Sequence, residues 1–300
     1  MNRIPPFLSL PIRLAILLGT ALDINVASGA GAAWPATLGE ALTFRASFDH
    51  GADADTALGD PKLYWASSMS KRQEAQAGLP PTGEILLEKQ GERGALVFTK
   101  KKSPIVFFQA AKNVAYAPSD WSGTVSFWLK VDPGTQLEAG FCDPIQITPR
   151  AWNDAAFFVE FEKKKDSIPF RLGVYPDVKV WNPNNRDWNS IPLAEKPLFA
   201  VEKPPFAGSK WIHVLFTFER FNNQKPDGSA RLYLEGKEAG ALIPREQTFR
   251  WDLDHTAIML GLSYIGAFDE LSIYNRALTA GEIAQVHDLT HPEANVPKSR

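Results

Sequence analysis

A single cysteine, Cys142, stands in a chain of 300 residues. One thiol closes no intramolecular disulfide and builds no thiolate metal site, so stability must come from burial. A lone thiol in an oxidising compartment is best kept inside, and its neighbours Phe141 and Ile145 suit that. Long apolar runs are also scarce. The longest, residues 14–22, is about half of what a bilayer span requires, and no later segment comes closer. Charge of one sign is lacking too: 32 Lys and Arg face 34 Asp and Glu, a formal net charge of -2. Such a balance gives no field for nucleic acid, and the short runs Lys100–Lys102 and Lys163–Lys165 read as solvated turn charges. Self-similar periods are absent, which excludes a propeller. The five histidines (50, 213, 255, 287 and 291) show no metal-binding spacing, and no Gly-x-Ser-x-Gly elbow occurs.

What is present begins with Arg3 and Arg13, the apolar run, and the small-residue stretch 27–33. That order predicts a secretory signal peptide over residues 1–32, cleaved near Ala30 or Ala32, and hence a secreted or periplasmic protein. Removing it takes away Arg3, Arg13 and Asp23, which moves the net charge from -2 to -3. The remainder is ample for one large core. Period-2 alternation dominates it. Strands are expected over 42–48, 95–98, 105–108, 124–131, 156–161, 170–175, 211–218, 230–235, 258–262 and 268–274, with a lysine-rich turn joining the second and third. The turn Lys225-Pro-Asp-Gly228 predicts a hairpin between 211–218 and 230–235. Thr279 and Glu282 form a capping-box pattern ahead of Ile283 and Val286, so a short helix follows the last strand. Residues 176–209 change character: they carry prolines at 176, 183, 192, 197, 204 and 205, with Trp181 and Trp188. They read as a long loop, an insert on the scaffold. Many short strands without βαβ alternation indicate one all-β sandwich over residues 33–289, followed by a flexible polar tail, 290–300.

Four pieces in order carry a family resemblance. They are Phe44 to Asp49 with its acidic loop, the stretch 123–130 (Gly-Thr-Val-Ser-Phe-Trp-Leu-Lys), Trp211 to Val214 with Leu232 to Gly236, and Phe268 to Ile283. Together they resemble a laminin-G-like domain of the concanavalin A-like lectin/glucanase superfamily. The resemblance implies a curved jelly roll of two antiparallel sheets with one concave face. It also implies first and last strands lying side by side, which would bring Asp49 near Asp269. Relatives often bind a structural calcium between those regions, so Asp49 and Asp269 are the candidate metal ligands, with Asp53, Asp55 and Asp60 in the adjoining loop. The spacing of that loop does not match an EF-hand, and solvated loop carboxylates are the plain alternative. The insert is longer than the compact family pattern.

Two further chemistries can be weighed on named residues. Glycoside hydrolysis needs two carboxylates flanking the scissile bond. Glu160 and Glu162 share a strand face at i and i+2, but three lysines follow where the pattern of related glucanases carries another acid; outward strand charges paired with lysines explain them better. Asp252 and Asp254 repeat the spacing in a looser context. Carbohydrate binding needs aromatic faces with neighbouring Asn, Asp and Arg. Trp181, Asn182, Asn184, Asn185, Arg186, Asp187 and Trp188 supply that mixture on one loop, with Trp251 as a further stacking candidate. Alternatively, both insert tryptophans fold back to pin the loop; Trp121, Trp128 and Trp211 sit in strand patterns and are expected in the core. The expectation is a secreted, non-catalytic module that binds a glycan or a glycosylated partner and carries one structural calcium. A polysaccharide-active hydrolase or lyase, or a protein–protein module of an exported assembly, are the alternatives on the same fold.

Overall fold

A computed structural model describes residues 34–293; the expected signal peptide and residues 294–300 lie outside the described residues. In chain order the strands begin with β1 (Leu42–Ala46), β2 (Thr56–Ala57), β3 (Tyr64–Ala66), β4 (Gln76–Ala77), β5 (Ile85–Gln90) and β6 (Arg93–Phe98). Next come β7 (Ile105–Gln109), β8 (Trp121–Lys130), β9 (Gly140–Thr148), β10 (Ala156–Lys163), β11 (Phe170–Tyr175) and β12 (Leu198–Val201). The set closes with β13 (Ile212–Phe221), β14 (Ser229–Leu234), β15 (Lys237–Ala241), β16 (Ala257–Leu262) and β17 (Gly266–Tyr274). Three helices accompany them: α1 (Ala36–Ala41), α2 (Val178–Trp181) and α3 (Ala280–Leu289).

The strands form two antiparallel sheets. One runs β15-β14-β13-β8-β17-β1-β2, with β6 also paired to β17 and β5 to β6; the other runs β12-β11-β10-β9-β16-β7-β3-β4. This is the expected jelly-roll sandwich. The first and last strands are neighbours, with Leu42 opposite Tyr274 and Ala46 opposite Leu271. The predicted hairpin is also present, as β13 and β14. Alternation explains the core. Phe157, Val159 and Phe161 of β10, with Leu172 and Val174 of β11, face Val125, Phe127 and Leu129 of β8 across the space between the sheets. Cys142 is buried there, and burial pushes its thiol up to about 11. Its neighbour Phe141 is not: it points the other way and is 52% exposed.

The lysine-rich turn does join β6 and β7, and it carries the chain from one sheet to the other, because β6 pairs with β17 and β7 with β16. Several expectations need correction. The long loop contains an edge strand, β12, whose residues Leu198–Val201 pair with β11. Trp211 precedes β13 and is half-buried, with the Lys130 Nζ 6.0 Å from its ring, so it is not a core residue. Trp128 is buried, but on the outer face of its sheet, beneath α3. Its Nε1 donates to Thr290 Oγ1 at 2.8 Å, and its ring meets those of His213, His287 and His291. Thr290 is therefore fully buried, and the packed domain extends past residue 289 into the expected tail.

The helix α3 starts as predicted. Thr279 Oγ1 accepts from the Glu282 N–H, and Glu282 Oε2 accepts from the Thr279 N–H. Bonds from Arg276 hold the Glu282 carboxyl down to about 2. Ile283 and Val286 then pack with Leu38, Leu215, Tyr274 and Leu278.

Candidate functional site

On β10 and β11 the side chains that do not enter the core face outward: Phe158, Glu160 and Glu162 from one strand, Arg171 and Tyr175 from the other. The register places Glu160 opposite Arg171 and Phe158 opposite Gly173. Gly173 is required there, because a Cβ would meet the Phe158 ring at 2.2 Å. An outward face would ordinarily be wet, yet Phe158, Glu160, Arg171 and Tyr175 are all buried. The insert and the β9–β10 loop cover them.

The cover is aromatic at one end. Trp152, in the β9–β10 loop, stands edge-on to Trp188 at 5.0 Å and to Tyr175 at 5.6 Å. Trp181 meets Tyr175 at 5.1 Å and donates its Nε1 hydrogen to Asn153 O. Both insert tryptophans are thus half-buried, pinning the insert to the sheet. The Lys196 Nζ lies 3.9 Å from the Trp188 ring centroid, a cation over an aromatic face. Trp152 stays 42% exposed.

At the other end the face is ionic. Arg171 bonds Glu160 through Nη2 and Glu162 through Nη1, the latter at 2.9 Å. Asp143, placed by an irregularity in the β9–β10 pairing, hydrogen-bonds Glu160. Burial, then the Glu160 charge, pushes the Asp143 carboxyl well above the usual carboxylate range, so Asp143 supplies the proton of that bond. Arg171 in turn lies 5.0 Å over the exposed ring of Phe141. Glu160 and Glu162 are therefore the two arms of one guanidinium clamp, not a free pair across an open cleft.

Of the predicted sugar contacts, Trp181, Asn185, Arg186 and Trp188 come together in the insert. Asn185 is exposed, in a left-handed turn (φ 48°) closed by its N–H to Asn182 O. Arg186 is exposed and paired with Glu195. Trp251 does not join them. It is 8% exposed, packed at 4.8 Å against Trp121 in the core, and donates to Ala155 O. Asp252 and Asp254 are outside this face; Asp252 pairs with His255 in an exposed turn. Residue reading passed over Trp152 and took Phe141 for a neighbour that shelters Cys142. Trp152 sits in a short Trp-Asn-Asp loop that nothing in the local pattern marks as lying beside the insert.

Asp49 and Asp269 do converge, at the pairing of β1, β6 and β17. An irregularity between Asp269 and Ser272 turns Glu270 left-handed (φ 52°), so that Asp269 and Glu270 are both buried. Glu270 accepts from Arg45 Nε and Nη2 and from Arg93 Nη1; Asp49 accepts from Arg93 Nη1 and the Gly94 N–H. Asp269 Oδ1 accepts from the Glu270 N–H. Burial and the Glu270 charge push Asp269 well above the usual range. Calcium needs six to eight oxygens at close range without competing cations. Here two guanidinium groups already occupy the Asp49 and Glu270 carboxylates, Asp269 accepts from the Glu270 N–H, and the residues do not fit the ion as arranged. Among the described residues no group of three or more His, Cys, Asp or Glu side chains is placed to hold a metal. The loop acids are also engaged: Asp55 with the Ser47 N–H and His50, Asp53 with Lys62 and the Leu63 N–H, Asp60 with Tyr64.

Comparison with known proteins agrees with this architecture. Residues 109–284 match the laminin-G profile of the concanavalin A-like lectin/glucanases superfamily. The chain belongs to that superfamily. No curated protein sequence matches it. Among solved structures it is similar to domain 4 of an extracellular GH43 arabinanase from Geobacillus stearothermophilus, in complex with arabinotriose. The TM-score is 0.51 at 16% identity, covering 82% of this chain and 98% of that one. It is also similar to the CBM40 of a Ruminococcus gnavus IT-sialidase (TM-score 0.41, 13% identity, 64% and 96% covered). A third similarity is to the binding domain of botulinum neurotoxin serotype G (0.42, 14%, 75% and 50%); the chain spans about half of that structure. At these identities the likeness concerns the fold. Among the described residues no helix is long and apolar enough to cross a membrane.

Proposed function

We propose that this is an exported, non-catalytic glycan-binding domain whose contact surface lies on the cover of the outer face of β9, β10 and β11, from the β9–β10 loop across the insert to the exposed ring of Phe141. The observation that carries the reading is the pair of exposed aromatic rings at the two ends of that face, Trp152 and Phe141, at 42% and 52%. Between them run Trp188, in contact with Trp152 and with Lys196, and the edge of Arg171, which lies over Phe141. Phe141 sits opposite Glu162, and Trp152 lies over Phe158, four residues earlier on β10. At about 3.3 Å per strand residue the two ends are ~13 Å apart along the strand, long enough for several sugar rings. Aromatic faces stack on C–H surfaces while the flanking cations bond hydroxyl or acidic groups.

Two points support the assignment. The arabinanase domain of similar fold carries an arabinose oligomer. A binding surface needs no free acid pair, and the carboxylates here are held by Arg171. Export rests on the basic and then apolar opening of the sequence. Affinity electrophoresis of the full chain through gels containing arabinan, β-glucan or pectin tests the reading. Retardation by at least one polymer, lost in Trp152→Ala at a temperature well below that variant's own melting point, is the expected result. Unretarded migration through all of them would remove the reading.

A further inference from the structure

The contact surface does not end at Phe141. Beyond Glu162 the β10–β11 hairpin turn forms one wall of a depression of about 570 Å³, lined by Gly134, residues 163–168, Glu202 and Lys203. Four ammonium groups, from Lys163, Lys164, Lys165 and Lys203, meet only two lining carboxylates, Asp166 and Glu202. Their uses differ. Lys163 is structural: its Nζ donates to Gly134 O and Leu137 O, bracing the loop that forms the opposite wall. Lys164 is held by Glu162 at 2.9 Å. Lys165 and Lys203 are exposed and make no ion pair among those observed, so two ammonium groups remain available to a ligand. Even with Glu162 counted, positive charge exceeds negative here, in a chain whose net charge is -2. The same sign continues along the surface at Lys196, whose ammonium is lowered by burial and then by the charge of Arg171.

We infer that the depression is a subsite for the anionic groups of an acidic polysaccharide, a uronate carboxylate or a sulfate ester. It rests on the glycan-binding reading and names the ligand class for it: a chain whose rings lie between Trp152 and Phe141 and whose acidic substituents reach Lys165 and Lys203. Ammonium groups on flexible stems suit such a role, because they act as point charges that tolerate carboxylate or sulfate alike.

The test uses the full chain, with polygalacturonate, dextran sulfate, neutral arabinan and polyglutamate as probes, by calorimetric titration at two salt concentrations. Expected are at least tenfold tighter binding of polygalacturonate or dextran sulfate than of arabinan, and a steep loss of that preference with salt. Lys165→Ser with Lys203→Ser should bring the acidic polymer down to the neutral level and leave arabinan unchanged; both sites are exposed, so folding is preserved. Whichever acidic probe binds more tightly separates carboxylate from sulfate. Equal affinity for acidic and neutral polymers, no effect of the double variant, or equally tight polyglutamate would overturn the subsite. Preference for acidic polymers that survives Trp152→Ala and Phe141→Ala would instead sink the aromatic surface and leave the subsite standing. Absence of binding to every probe overturns both.

Discussion

Replacing Glu270 by Gln should change how stability depends on pH in a defined direction. Three carboxyls, Asp49, Asp269 and Glu270, surround two guanidinium groups, Arg45 and Arg93, so one negative charge is uncompensated when all ionise. Burial raises the Glu270 carboxyl from its ordinary 4.5 to about 7; Arg45 opposes the rise and Asp49 adds to it. A group whose folded value exceeds its unfolded value binds more protons in the native state between those two pH values. Unfolding free energy therefore falls as pH climbs from about 4.5 to about 7. At ~1.4 kcal/mol per pH unit the loss is bounded at about 3 kcal/mol. The Gln variant keeps the shape and leaves two carboxyls facing two arginines. Urea unfolding of both proteins at a series of pH values, at constant ionic strength, isolates the effect, because groups such as Glu282 titrate alike in each. The variant's stability minus that of wild type should increase by about 3 kcal/mol between pH 4.5 and 7.5. A flat difference, or one that decreases, would show that Glu270 is ionised throughout and refute the reasoning.

Other outcomes follow from single contacts. Trp251→Ala removes a core ring packed on Trp121 and should cost about 3–5 kcal/mol in urea unfolding, which a ligand-stacking role would not. Arg171→Met strands Glu160 beside Asp143 and should cost about 3–5 kcal/mol, with part of the loss recovered by adding Glu160→Gln. If Glu160 were catalytic, Glu160→Gln alone would abolish turnover on some polysaccharide; no turnover is expected in either protein. Chelation should leave the melting temperature unchanged, in wild type and in Asp269→Ala alike, because arginines hold Asp49 and Glu270 beside Asp269. A drop confined to wild type would restore the metal.

The architecture was largely legible because alternation is a local signal. Residues 170–175 and the hairpin of β13 with β14 follow from period and turn chemistry alone. The strand β9 escaped notice, since Gly140 and Pro144 interrupt its pattern and its pairing with β10 is irregular; sheet pairing on both sides overrides them. Position along a strand says which residues alternate, but not what covers each face. Thus Trp128 read as core and is buried on an outer face beneath α3, and Phe158 is buried on the outer face of β10 beside Trp152 of the β9–β10 loop. Trp251 was named as a stacking candidate, yet its ring turns inward onto Trp121. The insert tryptophans were found from composition. Trp152 and Phe141 were not, because their role depends on contacts with Trp188 and Arg171, well apart in sequence.

The central claim is that the surface covering the outer face of β9, β10 and β11, between Trp152 and Phe141, holds a sugar chain. The most direct measurement is tryptophan fluorescence of the full chain titrated with pectic and arabinan oligosaccharides, in wild type and in Trp152→Ala. The account predicts a saturable change in wild type that disappears in the variant, with each measured well below its own melting point. A saturable change that persists with unaltered affinity in Trp152→Ala would place the sugar elsewhere and contradict it.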